Sequence, residues 1–240
     1  MFELTQLTAR QIDLCERTIS PNTFYMLVGH ALLTRTDLSV VRMGDGEVRL
    51  YEDVACGGDE PMVPNRRHDR EWLNKLGLLN IPNSLLKTRM EKAAQECTYF
   101  APSISGIWRE DYDNYGLSLR KTYVDNFFVN AWTEEMIVAL FRAAGHVLLI
   151  HVNAEVADAM QIRSQSILDV KVSYLKLTSW EDSDRVVEQA HRINAPLVLF
   201  SAGPGAKYIG PAISNGHGKV ALDLGNSVDG WTLSGLKGMS

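Results

Sequence analysis

From Trp132 onward the chain alternates short apolar runs with stretches of helical period, and this alternation restricts the fold more than any other feature of the sequence. Trp132 to Ala144 predicts a helix with Gly145 as its C-cap, and His146 to Asn153 predicts an apolar strand. Ala154 to Gln165 reads as helical, Val170 to Thr178 as β-rich, and Trp180 to Ile193 as an amphipathic helix with Ser179 as N-cap. Pro196 to Ser201 is a further apolar strand, Gly203 to Asn215 a Gly-rich turn and helix, and Lys219 to Leu224 a final strand. Strands that are apolar on both faces and are separated by helices pair in parallel, because each crossover helix returns the chain to the same edge of the sheet. The expected fold class is therefore α/β, with a Rossmann-like, mostly parallel sheet and helices on both faces.

The first half is less regular. Leu4, Leu7, Ile12, Leu14 and Ile19 give a loose helical spacing, so the first 35 residues are expected to be helical. Ser20-Pro21-Asn22 interrupts the spacing, and Pro21 suits the first turn of a second helix carrying Phe24, Met26, Leu27, Ala31 and Leu32. Leu38 to Met43 is a strand; Tyr51 to Arg67, with Cys56-Gly57-Gly58-Asp59-Glu60-Pro61, has loop chemistry. A short helix is expected over Arg70 to Leu79, another over Leu85 to Cys97, and a short strand over Thr98 to Pro102. Trp108 to Asn130 concentrates aromatic, acidic and basic residues. It fits either a surface that grips a sugar or nucleotide or an irregular segment fixed by half-buried aromatics. No repeat or linker divides the chain. One domain over 1–240 is expected, with an N-terminal helical segment at 1–36 and a Rossmann-like core at 37–240.

Composition narrows the function classes. A net charge of −5 provides no global basic field, so no nucleic-acid partner is expected. Cys15, Cys56 and Cys97 are scattered without CxxC spacing, which opposes a disulfide framework or structural zinc and suits a reducing cytoplasm. The N-terminus lacks the basic start and apolar core of an export signal. The longest apolar runs, Val147 to Val152 and Leu197 to Phe200, are far shorter than the roughly 20 residues that span a bilayer. A cytoplasmic protein without a transmembrane segment is expected.

In a doubly wound sheet, ligands bind beyond the carboxyl ends of the strands, and three strand ends here carry suitable residues. The first lies within VVRMGDGEVRLY, Val40 to Tyr51, where Gly44 and Gly46 flank Asp45 and precede Glu47. The glycines permit close approach to the backbone, and two acids with Arg42 upstream suggest a site for a metal and a phosphate; a Gly- and Asp-rich hairpin turn is the competing reading. Closely spaced carboxylates without a neighbouring His or Cys suit Mg2+ or Mn2+. The second end is Ser201-Ala202-Gly203-Pro204-Gly205-Ala206-Lys207, where small residues open a helix whose N–H groups can receive a phosphate and Lys207 adds charge; a tight strand-to-helix turn, which needs glycine in any case, is the competing reading. It matches neither GxxxxGK[ST] nor GxGxxG. The third is Asp223-Leu224-Gly225-Asn226, in which Asp223 either binds a ribose, base or ion or caps the final turn. The six histidines form no HExxH or HxH pattern, and His151, at the end of a strand, is the one best placed to face a pocket, with a satisfied, hydrogen-bonded ring as the favoured competing reading. GxSxG is absent, and so is the Gly-rich first loop of a methyltransferase.

Arg42-Met43-Gly44-Asp45-Gly46-Glu47, followed by Ser201-Ala202-Gly203-Pro204 and Leu222-Asp223-Leu224-Gly225, resembles the bacterial GT-D fold glycosyltransferases, marked by an Arg-x-Gly-Asp-Gly-Glu motif. The resemblance implies a cytoplasmic, metal-dependent hexosyltransferase of GT-D type. Its donor would be a nucleoside diphosphate sugar, a UDP-sugar by expectation, and its acceptor a glycan, a protein-linked glycan or another glycosylated carrier. It places Asp45 and Glu47 as metal ligands and catalytic groups. Arg42, Gly44, Gly46, Ser201, Gly203, Pro204, Lys207 and Asp223 are the expected donor-binding set. Glu47, Asp111, Asp125 and His151 are the candidates for deprotonating an acceptor hydroxyl. The rival functions are a nucleotide-sugar or phosphate-ester hydrolase and a non-catalytic nucleotide-binding module.

Overall fold

The structure is a computed structural model and describes residues 16–44, 83–102, 122–163, 169–201, 203, 207–225 and 227–228. Eight strands form one sheet in the order β1-β4-β3-β2-β8-β7-β5-β6. They are β1 (Thr18–Ile19), β2 (Leu38–Met43), β3 (Tyr99–Pro102), β4 (Tyr123–Val124), β5 (His146–His151), β6 (Lys171–Lys176), β7 (Leu197–Ser201) and β8 (Val220–Asp223). Among the described residues every pairing is parallel. The expected α/β architecture holds, and the sheet is more uniform than "mostly parallel". The helices are α1 (Pro21–Thr34), α2 (Asn83–Glu96), α3 (Glu134–Ala144), α4 (Ala154–Arg163), α5 (Ser183–Arg192) and α6 (Ile209–Ser214).

The alternating direction of side chains along each strand divides the core in two. Val147 and Leu149 of β5, with Leu197 and Leu199 of β7, pack with Phe24 and Val28 of α1, Ile137 and Phe141 of α3, and Val156 and Met160 of α4. Leu148 and Ile150, with Val198 and Phe200, point the other way onto Val186 and Ala190 of α5 and Ile209 and Ile213 of α6. Helices therefore cover both faces, and the strands have no polar side to read as alternation. α6 lies especially close to β7. A Cβ added at Gly210 would stand 2.7 Å from the Phe200 ring.

The helix ends follow from local chemistry. Ser20 accepts the Thr23 N–H at 3.1 Å in front of Pro21, which satisfies one of the donors left open at a helix start. Thr133 does the same for Met136 N, and Gly145, at φ 64°, closes α3. Lys219, buried between α5 and β8, donates from Nζ to Ala190 O at 2.7 Å and Ile193 O at 2.6 Å, closing the C-terminus of α5. Burial pulls its pKa below the ordinary lysine value.

Two local expectations are corrected. Thr18 and Ile19 are not helical but extended, paired with Tyr123 and Val124 of β4. Two β-branched residues at a sheet edge gain ladder bonds that outweigh a weak helical spacing. Ser179 makes no capping bond: Trp180–Asp182 winds as a 3-10 turn, the α-helix begins at Ser183, and Ser179 Oγ instead donates to Glu181 Oε2 at 3.3 Å. At the end of the Trp108 to Asn130 segment, Tyr123–Val124 is a strand and Phe128–Ala131 a 3-10 turn with Phe128 and Val129 buried. The expected helix over Arg70 to Leu79 and the loop over Tyr51 to Arg67 lie outside the described residues, as does most of the first expected helix. Among the described residues no helix is long and apolar enough to cross a membrane.

Candidate functional site

The carboxyl ends of β2 and β8 meet side by side at the centre of the sheet, in register from Leu38↔Val220 to Val40↔Leu222. The chain crosses over in opposite directions from this point: β2 leads to β3 on one side, and β8 is reached from β7 on the other. Such a divergence opens a crevice for ligand.

Just above the last paired residues, a side chain replaces the backbone ladder. The Arg42 N–H donates to Asp223 Oδ2 at 3.0 Å. The same oxygen accepts from Lys207 Nζ at 2.7 Å, and Oδ1 accepts the Gly225 N–H at 3.2 Å. Asp223 is 1% exposed and Lys207 5%, so this ion pair is buried and hydrogen-bonded on both oxygens, the condition under which a buried charge is tolerated. Asp223 thereby ties the ends of β2 and β8 to the turn that precedes α6.

The Arg42 side chain turns into the protein and runs across the sheet edge. Its Nε donates to Asn126 Oδ1 at 3.1 Å, beyond β4, and its Nη1 donates to Leu224 O, beyond β8. Its guanidinium carbon also stands 5.9 Å from the centroid of the Phe127 ring. Both hydrogen-bond acceptors are neutral oxygens. Among the described residues, the Arg42 charge is therefore held in place without being neutralised by a contacting carboxylate. Gly225 makes this possible: at φ 51°, it would place any Cβ 2.8 Å from Arg42 Nη1. The Asp-Leu-Gly sequence thus has a physical reason, with Asp223 accepting the Gly225 N–H and Gly225 leaving room for the guanidinium. Gly225→Ala is expected to cost about 1–3 kcal/mol from backbone strain and overpacking, read by urea denaturation; a wild-type midpoint would contradict the close approach.

Of the remaining predicted site residues, Gly44, Ser201, Gly203, His151 and Asp125 are described. Gly44 directly follows β2. Ser201, 8% exposed, ends β7, and Gly203 follows at φ 71°. Asp45, Gly46, Glu47 and Pro204 lie outside the described residues, as does Asp111. His151 ends β5, on the far side of β7 from β8. It is 4% exposed, and its Nδ1 accepts the Asn153 N–H at 3.0 Å. Asp125, just past β4, accepts the Phe127 N–H on Oδ1 at 2.6 Å. Among the described residues no group of three His, Cys, Asp or Glu side chains is arranged to hold a metal, and the Asp223 carboxylate is already occupied by Lys207 and two N–H groups. The structure adds Phe127 to the neighbourhood of Arg42. No spacing in the sequence marks it, because the contact joins the end of β4 to β2 across the intervening β3.

Against known proteins, the family model for the GT-D fold-like domain matches residues 19–231. No curated protein and no solved structure matches the chain. The match runs from Ile19 of β1 through β8 and includes both strand ends joined by Asp223. The chain therefore belongs to the GT-D-like family and has a fold of glycosyltransferase type.

Proposed function

We propose that the protein is a metal-dependent glycosyltransferase that moves a hexose from a UDP-sugar to a hydroxyl of a glycan or glycosylated carrier in the cytoplasm. The observation that carries this reading is the buried Arg42. It is fixed by neutral acceptors at the carboxyl ends of β2 and β8, without a contacting carboxylate among the described residues, and it lies three residues before Asp45. Membership of the GT-D-like family supports nucleotide-sugar binding in general.

Glycosyl transfer builds negative charge on the departing diphosphate, and groups positioned beforehand for that charge lower the barrier. Asp45 and Glu47 are the pair assigned to hold Mn2+ or Mg2+. Two carboxylates without His or Cys suit such a hard ion, and Asp223, occupied as described, is not assigned to it. When bound, the ion supplies Lewis-acid stabilisation of the diphosphate. Arg42 adds a fixed positive charge, and the Gly203 N–H is assigned as a further donor. Lys207 acts through Asp223, holding the turn before α6 against the ends of β2 and β8.

The test is UDP release from a panel of UDP-hexoses with Mn2+ or with EDTA, in the presence and absence of saccharide acceptors. Metal-dependent release and a product one hexose heavier by mass spectrometry are expected. Release of free sugar alone would identify a hydrolase. UDP binding without metal dependence and without turnover of any donor would identify a non-catalytic module.

A further inference from the structure

We propose that Phe127 and Asp125 form a platform for a pyranose ring at the carboxyl edge of the sheet, with the phenyl face taking the C–H face of the sugar and the carboxylate accepting its hydroxyls. This rests on the glycosyltransferase reading and assigns a sugar contact within that site.

Phe127 is 47% exposed, whereas its neighbours Asn126 and Phe128 are 3% and 0% exposed. Of the large hydrophobic residues exposed among those described, Met26, Leu33, Phe127, Val152 and Ile162, it is the one aromatic. Its exposure does not come from a loose backbone. The Phe127 N–H is held by Asp125 Oδ1, its carbonyl accepts the Asn130 N–H at 2.8 Å, and the Phe128 N–H reaches Asp125 O at 3.0 Å. Phe128 anchors the turn in the core, 4.8 Å from the Phe24 ring and 5.1 Å from Trp132. The Phe127 ring also packs near the Arg42 guanidinium, the group at the centre of the proposed donor site. A large apolar surface is thus presented to solvent in a fixed position, so little conformational entropy is lost when a ligand covers it.

The adjoining acid selects the class of ring. Asp125 is fixed by the same N–H bond that orients Phe127. Every hydroxyl of a pyranose can donate to a carboxylate, and its axial C–H groups can lie on an aromatic face. A uracil also stacks, but its edge sets two carbonyl oxygens beside a single N–H, and a carboxylate repels them. Trp180 and Tyr208 are less suited, because both are only half-exposed and hold the Arg89 guanidinium between them, 4.5 Å and 4.8 Å from their ring centroids, closer than Arg42 stands to Phe127.

The experiment compares wild type, Phe127→Ala, Phe127→Tyr and Asp125→Asn in binding to UDP, UDP-glucose and UDP-galactose by calorimetry with Mn2+. Methyl glucoside and methyl galactoside are followed in parallel by saturation-transfer NMR. Phe127→Ala is expected to weaken a sugar-bearing ligand about tenfold, with UDP affinity and melting temperature unchanged; Phe127→Tyr should retain binding, and Asp125→Asn should weaken it. Loss confined to the UDP-hexoses assigns the platform to the donor sugar, and loss confined to the methyl glycosides assigns it to the acceptor. Equal weakening of UDP itself would overturn the proposal in favour of a nucleobase contact, and unchanged sugar binding in Phe127→Ala would overturn it outright. UDP-hexose turnover by wild type is read separately, so loss of the platform is distinguishable from failure of the glycosyltransferase reading.

Discussion

Asp223→Ala is expected to destabilise the protein by about 3–5 kcal/mol, the usual cost of removing one partner from a buried ion pair. The substitution removes a carboxylate that pairs with Lys207 and also accepts the N–H groups of Arg42 and Gly225. Lys207 would be left beside a void in a site where it is 5% exposed. Lys207→Met should cost less, because the Asp223 carboxylate retains both N–H donors. Urea denaturation followed by circular dichroism measures both variants. Equal stabilities, or an Asp223→Ala midpoint close to wild type, would show that the strand ends are joined without this carboxylate.

Asp45→Ala and Glu47→Ala are expected to have the opposite profile, with activity lost and the fold retained. If the pair holds the divalent ion, removing either acid withdraws stabilisation from the charge developing on the diphosphate. Loss of about 100- to 1000-fold in turnover is the scale for deleting one group of that kind. If the two acids serve the ion and not the fold, both substitutions should leave the melting temperature within a degree or two of wild type, on the scale of about 0.5 kcal/mol. Full turnover in either folded variant would remove that residue from the metal site.

The sequence conveyed the sheet better than the links between its strands. Leu38–Met43 is a strand with the expected boundaries and is buried at every position, because a central parallel strand is covered on both sides. The carboxyl half follows the expected order, from α3 with its Gly145 cap to β8. β1 and β4 contain two residues each, too few to express any period, so their pairing could not be read. Ser179 resembled a helix cap by composition, but the 3-10 turn moved the start of the α-helix to Ser183. At the candidate site, Arg42, Lys207 and Asp223 were recognisable as individual residues. Their arrangement was not, since the Arg42–Asp223 bond spans 181 positions and the Arg42–Asn126 bond spans 84. Such contacts exist only once β8 lies beside β2 and the turn after β4 reaches over β3.

The most direct test of the proposed site is calorimetric titration of UDP into wild type, Asp45→Ala and Glu47→Ala, each with Mn2+ and with EDTA. If these acids hold the ion that meets the diphosphate, wild type should bind UDP at least about tenfold more tightly with Mn2+, a difference of about 1.4 kcal/mol, and both variants should lose that difference while remaining folded. UDP binding that is equal with Mn2+ and EDTA in wild type, or a metal effect that persists undiminished in the variants, would contradict the account.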